Sequence, residues 1–388
     1  MCLLYQYPAE VKLFQVAALS LIILFSGCKD NPTDYWKPTP YQLSIPFGFP
    51  TKLNIPDDNP LTVEGIELGR YLFYDGRLAG RTHPDSLMSC ATCHIQANGF
   101  EAGINHPRFQ GGFVHGITGI PTRHIMLPLV NLVWNHSGYG WNGFIWPDNP
   151  NINLRNIEDF VRVAVMAEDE MSADTTRVKQ IFQQLKGYPE LFYKAFGSDK
   201  ITFRNIERAI AQFVRTLISA NSRFDKYLRG EVQLNPSELR GFVLFTTEEG
   251  ADCFHCHGGG GNPLFTTHLF YNNGKDTVFD NLHDRYYITG NPLHTGAFKA
   301  PSLRNIAVTA PYMHDGRFSS LDEVIDFYST GVKYSSYIDP LMHHVLRGGV
   351  RLTPSQKNDL KAFLNTLTDQ DFLTNPAFAR PEKFPDQQ

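Results

Sequence analysis

The chain of 388 residues predicts an all-α fold built from two copies of one small cofactor-binding unit, on three observations. The first is a motif that occurs twice, as Cys90-Ala91-Thr92-Cys93-His94 and as Cys253-Phe254-His255-Cys256-His257. Two cysteines three apart, followed by histidine, have the spacing of c-type haem attachment. Each thiol can form a thioether with a haem vinyl group, and the histidine then supplies an axial iron ligand. Zinc would need a second cysteine pair or a distant histidine pair to close its tetrahedron, whereas both copies here end in His. The second observation is a repeat. Gly69-Arg70-Tyr71-Leu72-Phe73 lies upstream of the first motif and Gly241-Phe242-Val243-Leu244-Phe245 upstream of the second. A helix carrying Gly and an aromatic is therefore expected beside each haem. The third is a series of helix signatures with sparse strand signals.

Taken in order, the chain opens with Lys12 and an apolar run, Leu13 to Phe25, which ends Phe25-Ser26-Gly27-Cys28. The run is too short to span a bilayer and suits the core of a signal peptide. Small residues directly before a cysteine have the form of a bacterial lipoprotein cleavage site, so residues 1–28 read as a lipoprotein-type signal peptide with Cys28 as the lipidated first residue. A plain signal peptide or a misplaced start is the alternative. Either places the protein outside the cytoplasm, where haem is attached covalently, as a periplasmic or outer-membrane-anchored protein. Of six cysteines, four belong to the two motifs and the others are Cys2 and Cys28, which leaves no pair for a structural disulfide. The net charge of −4 argues against a nucleic-acid partner.

Residues 29–60 are rich in Pro, Asn and Asp and read as an extended tether rather than a packed element. A first haem domain is expected over 61–232, a second over 233–375, and a tail over 376–388. Apolar stripes at Val178, Ile181, Phe182 and Leu185, and at Ile206, Ile210, Phe213, Val214 and Leu217 after Thr202, predict two helices. Asn235-Pro236-Ser237-Glu238 is a capping box that opens the second unit, and Thr353-Pro354-Ser355-Gln356 repeats the signature before Leu360, Phe363, Leu364 and Leu367. Ser320-Leu321-Asp322-Glu323 starts another helix, with Leu321, Val324, Ile325 and Tyr328 on one face.

The stretch Pro301-Ser302-Leu303-Arg304-Asn305-Ile306, followed by Ala310-Pro311-Tyr312-Met313-His314-Asp315-Gly316, resembles the bacterial di-haem cytochrome c peroxidases, a group that includes the MauG-type enzymes. The likeness runs from about residue 42 to 375 and takes in both haem motifs and Phe224-Asp225-Lys226-Tyr227-Leu228. It implies two cytochrome c-like domains packed around an inter-haem interface, two covalently bound haem c groups, and reduction of hydrogen peroxide to water. The haem on His94 would be the peroxidatic one. The haem on His257 would accept electrons from a small cytochrome c or cupredoxin. A tryptophan between the haems matches Trp141, with Trp134 and Trp146 as neighbouring competitors and a core role as the bland alternative. The proton-shuttling acid of a Glu-Met pair matches Glu170-Met171, with Glu168 and Asp169 alongside. Between Trp141 and this pair lies an insertion rich in Pro and Asn, residues 147–156.

Other matches depart from the family. His115 sits where some members carry a histidine that caps the first haem, and His106 and His124 compete for that place. Thr309 and Pro311 match positions whose carbonyls bind calcium, which stays open because His124 replaces the asparagine usual there and calcium prefers oxygen. Tyr328 falls where ordinary members place the methionine that ligates the second haem and where MauG-type enzymes have tyrosine. Met313 and Met342 are substitutes if Tyr328 is a core residue. The resemblance thus carries a second reading, a MauG-like enzyme oxidising a protein side chain through a high-valent haem state; a non-catalytic di-haem electron carrier is an alternative of a different class. A homodimer is left open, and the membrane is met only through a lipid anchor on Cys28.

Overall fold

The structure, a computed structural model, describes residues 36–146, 154–259 and 261–388. The signal segment with Cys2, Cys28 and their surroundings lies outside the described residues, as do residues 147–153 of the insertion.

Local signals set the helices. Thr62, Thr202, Asn235, Ser320 and Thr353 each accept a hydrogen bond from a first-turn N–H of the helix that follows: Val63–Tyr74, Phe203–Arg215, Pro236–Phe245, Leu321–Asp326 and Pro354–Asn365. At the last three the reciprocal bond from Glu238, Glu323 or Gln356 completes a capping box, so donors that would otherwise be orphaned are satisfied on both sides of the cap. The fold is mostly helical. Strand is confined, among the described residues, to two short antiparallel pairs, Phe109–Gln110 with Phe113–Val114 and Phe270–Tyr271 with Phe298–Lys299.

The repeat in the sequence corresponds to a repeat in packing. Val63–Tyr74 lies against Phe203–Arg215, and Pro236–Phe245 lies against Pro354–Asn365. A side chain at Gly69 would strike the Ala209 carbonyl, and one at Gly241 the Asp359 carbonyl. Glycine is what lets each helix pair approach so closely. Phe73 then meets Phe213, and Phe245 meets Phe363, both with ring centroids 5.2 Å apart. Residues 37–388 form one compact unit. Its largest apolar cluster draws mainly on residues 68–217 and the second on 224–367. Each half also buries an arginine on a carboxylate: Arg215 on Glu158 at 2.7 and 2.8 Å, and Arg304 on Asp225 at 2.7 and 2.9 Å.

Two segments depart from expectation. The lead-in is extended but packed: Leu43 and Phe49 join Leu61, Val133, Trp134 and Leu264 in a third apolar cluster, and Trp134 Nε1–H donates to the Pro50 carbonyl at 2.7 Å. Prolines shape a backbone without preventing the apolar side chains between them from finding a surface. The C-terminal tail folds back on the first half, where Asp386 pairs with Arg77 at 2.7 Å and the Phe378 carbonyl accepts from the Tyr74 hydroxyl at 2.7 Å. No helix among the described residues is long and apolar enough to cross a membrane.

Candidate active site

Each motif occupies one short helical turn, Cys90–Cys93 and Phe254–His257. The turn places both thiols and the histidine on the wall of one cavity: Cys90, Cys93 and His94 line the first, and Cys253, Cys256 and His257 line the second. Counting their open mouths, the cavities measure about 2340 and about 1660 Å³. Phe73 lines the first and Phe245 the second, so the aromatic of each repeat faces its own cavity.

Both histidines have one ring nitrogen engaged by a backbone carbonyl. His94 Nδ1–H donates to the Phe100 carbonyl at 2.7 Å, and His257 Nδ1–H donates to the Pro301 carbonyl at 3.1 Å. A carbonyl can only accept, so each ring is held in the tautomer whose Nε2 lone pair is free. Burial pulls both imidazoles down to about 4, which keeps them neutral. The first cavity also holds a buried polar atom with no partner among the described residues, His268 Nε2, where a haem carboxylate can be received. The residues therefore fit haem c in both cavities.

The two cavities share a wall made of Ile125 to Pro128, Trp141, Lys299 and Pro301-Ser302. Trp141 is buried within it, its Nε1–H donating to the Ile125 carbonyl at 3.0 Å. Neither rival tryptophan is there. Trp134 belongs to the third apolar cluster, and Trp146 sits under the Arg285 guanidinium at 4.7 Å. Lys299 was not foreseen. It is buried, its Nζ–H donates to the His268 carbonyl at 2.9 Å, and burial pulls its ammonium down to about 7, with Arg285 adding to the effect. Lysine is rarely buried, and nothing local marks this one.

Of the three acids after the helix Ile157–Met166, Asp169 and Glu170 line the first cavity and Glu168 does not. The Glu170 carbonyl is pinned by Ile117 N–H at 2.8 Å. Burial, with a smaller push from Asp169, raises the Glu170 carboxyl to about 7. Met171 is on the same wall. Of the loop histidines, His115 and His124 line the first cavity, whereas His106 is tied to the attachment turn through the Thr92 carbonyl at 2.6 Å.

Tyr328 lies in the second cavity with Met313 and Met342. The helix Leu321–Asp326 opens at its C-terminal end into a π-helical turn, Phe327–Gly331, of the kind found at functional sites. That turn carries Tyr328. Its face-mates Leu321, Val324 and Ile325 line the same cavity. The hydroxyl accepts from Asn273 Nδ2 at 3.0 Å, and the same amide nitrogen stands 3.7 Å from Met313 Sδ. Burial raises the phenol above its ordinary range. Thr309 and Pro311 also line the second cavity, while His124 Nε2–H is engaged by the Leu282 carbonyl at 3.1 Å.

A helical fold with two cavities that share one wall, each lined by a CxxCH motif, defines a di-haem c-type protein. Comparison with known proteins makes this particular. A sequence profile described as di-haem cytochrome c peroxidase matches residues 63–233. The methylamine utilization protein MauG of Methylorubrum extorquens is 32% identical over 327 residues, 84% of each chain. The cytochrome-c peroxidase IdrP1 of Pseudomonas sp. (strain SCT) is 31% identical over 350 residues, covering 81% of this chain and 83% of that protein. Among solved structures, a MauG-like protein associated with microbial copper homeostasis superposes with a TM-score of 0.75 at 34% identity, over 88% of this chain and 100% of that one. The di-haem peroxidase BthA of Burkholderia thailandensis superposes at 0.65 with 19% identity, over 89% and 100%, a likeness of fold. The chain belongs to the di-haem cytochrome c peroxidase family and is a haem peroxidase.

Proposed function

We propose that this chain reduces hydrogen peroxide at the first cavity with electrons received at the second from a small cytochrome c or cupredoxin. The observation that carries the reading is the Glu170 carboxyl, half-buried on the wall of the first cavity and raised by desolvation to about 7. Haem c, when bound, would supply the iron and pass on the donor's electrons. The chain's own residues supply the rest. His94 and His257 offer fixed Nε2 lone pairs, and Glu170 takes a proton from one peroxide oxygen and returns it to the other. A carboxyl near the working pH is suited to both transfers. Trp141 bridges the cavities in the shared wall, and His115 is the candidate to close the first cavity at rest.

A second reading, peroxide-driven oxidation of a protein side chain, is favoured by Tyr328. A phenolate offered to the haem on His257, with Asn273 donating to it, would stabilise the oxidised iron. The Thr309 and Pro311 carbonyls remain candidates for calcium, with the His124 imidazole a poor replacement for an oxygen ligand. Export with a lipid anchor on Cys28 belongs to the same proposal, on the strength of the apolar run before that cysteine.

The test is to mix the haem-loaded protein with peroxide, with and without a reduced small cytochrome c. Oxidation of two cytochromes per peroxide supports the peroxidase reading. A spectral response that needs no prior reduction, with the cytochrome left reduced, supports the second. No response in either arm refutes both.

A further inference from the structure

We propose that Glu248, His255 and His343 form a binding site for a divalent late first-row metal ion, zinc or copper(II), beside the second haem-attachment turn. His255 is the last residue between Cys253 and Cys256 in that motif. The flanking thiols and His257 line the cavity, whereas the two nitrogens of His255 are both met by carboxylates. Nδ1 stands 2.7 Å from Asp252 Oδ1 and Nε2 3.5 Å from Glu248 Oε1. From 88 residues further on, His343 arrives with Nδ1 3.5 Å from Asp252 Oδ2, its ring nearly perpendicular to that of His255 at 5.1 Å between centroids. One ligand atom each from Glu248, His255 and His343 lies within 4.8 Å of the others.

The donor set states the ion. Two imidazoles and a carboxylate, with no thiolate, suit zinc or copper(II) and not magnesium or calcium, which take oxygen. Around a tetrahedral ion with bonds of about 2.0–2.1 Å the ligands must draw closer than 4.8 Å. Glu248, whose side chain is 56% exposed, is free to swing in. Asp252 is nearly buried and holds His255 Nδ1. It is the carboxylate that orients a ligating histidine from behind, leaving Nε2 toward the ion.

Such an ion would fasten three segments that the fold brings together: the Thr247–Asp252 turn, the attachment turn, and the stretch after Met342. The last of these lines the second cavity through His343, Val345, Gly349 and Val350, and Val350 N–H donates to the Tyr328 carbonyl at 3.1 Å. The stretch is already tied to the first segment through His344 Nε2 and the Glu248 carbonyl at 2.7 Å, besides the approach of His343 to Asp252. Bound metal would hold the wall beside Tyr328 closed.

The experiment titrates the haem-loaded protein, stripped of adventitious metal, with zinc, with copper(II) and with magnesium, reading stoichiometry by calorimetry. Copper(II) is read also by its electron paramagnetic resonance signal. One zinc or copper(II) ion per chain is expected, with magnesium absent. Affinity should fall roughly 10- to 100-fold or more in His343→Ala and in Glu248→Gln, and by a similar factor in Asp252→Asn. Haem content, measured on each variant, shows that the fold persists. Copper(II) should show nitrogen coordination that His343→Ala diminishes. Failure of both zinc and copper(II) to bind stoichiometrically, binding that His343→Ala and Glu248→Gln both retain, or equal binding of magnesium would overturn the proposal.

Discussion

Replacing Glu170 with Gln removes one dissociable proton from the first cavity while keeping the shape of the side chain. The wild-type carboxyl, raised by burial to about 7, is about half ionised at neutral pH. Removing a proton from peroxide needs the ionised form, which is lost as pH falls. Turnover of wild type should therefore drop by about tenfold per pH unit below about pH 6 and level off above about pH 8. Glu170→Gln should lie roughly 10²- to 10⁴-fold lower and lack that inflection. A second readout follows from linkage. The folded pKa lies above the ordinary 4.5, so burying Glu170 carries no ionisation penalty below about pH 4.5. The penalty grows as pH rises toward 7 and then stays at about 3 kcal/mol. The variant should gain up to that much stability over wild type at pH 8 and little at pH 4, measured by chemical denaturation of the haem-loaded protein. Peroxide turnover by stopped-flow across pH 5–9 is the primary assay. Unchanged turnover with an unchanged inflection would refute the assignment and move the proton transfer to Asp169, the other acid on that wall.

Cys93→Ala and Cys256→Ala should each weaken covalent haem attachment at their own site only, read as a smaller fraction of acid-denatured chains that carry two haem masses; weakening at both sites from either change would contradict two independent cavities. Tyr328→Phe should alter the spectrum and raise the potential of the haem on His257, within the roughly 0.8 V that axial ligands span, and Tyr328→Met should raise it further. Spectra and potentials identical to wild type would show that Tyr328 is a core residue. Arg215→Met strands Glu158, both side chains being fully buried, and should cost about 3–5 kcal/mol of stability. Burial pushes the Glu158 carboxyl up, but the hydrogen bonds and charge of Arg215, helped by Asn59, hold it below its ordinary value. The pair's contribution is thus present above the ordinary carboxylate pKa and lost as pH falls through the depressed one, so the loss on substitution should shrink in strong acid, as a melting series in pH would show.

What the sequence determined by itself is what a turn or two of chain can encode. Cysteines three apart with a following histidine reach one side of a single helical turn, so both haem sites could be read without knowing the fold. Caps at Asn235, Ser320 and Thr353 act across three residues and mark helix starts for the same reason. The repeat of Gly and Phe could be read because close helix contact demands the glycine, although which helix each one meets could not. The tertiary structure decided everything that depends on where distant segments converge. It selected Trp141 over Trp134 and Trp146 for the shared wall and separated Glu170 from Glu168, because burial belongs to the surroundings of a side chain and not to its spacing. It buried Lys299 between the cavities, packed the proline-rich lead-in, and drew the tail onto Arg77. It brought His343 to His255, 88 positions earlier in the chain, along a path set by loops. Loop paths follow from the packing of whole halves against each other, and no local pattern of residues states them in advance.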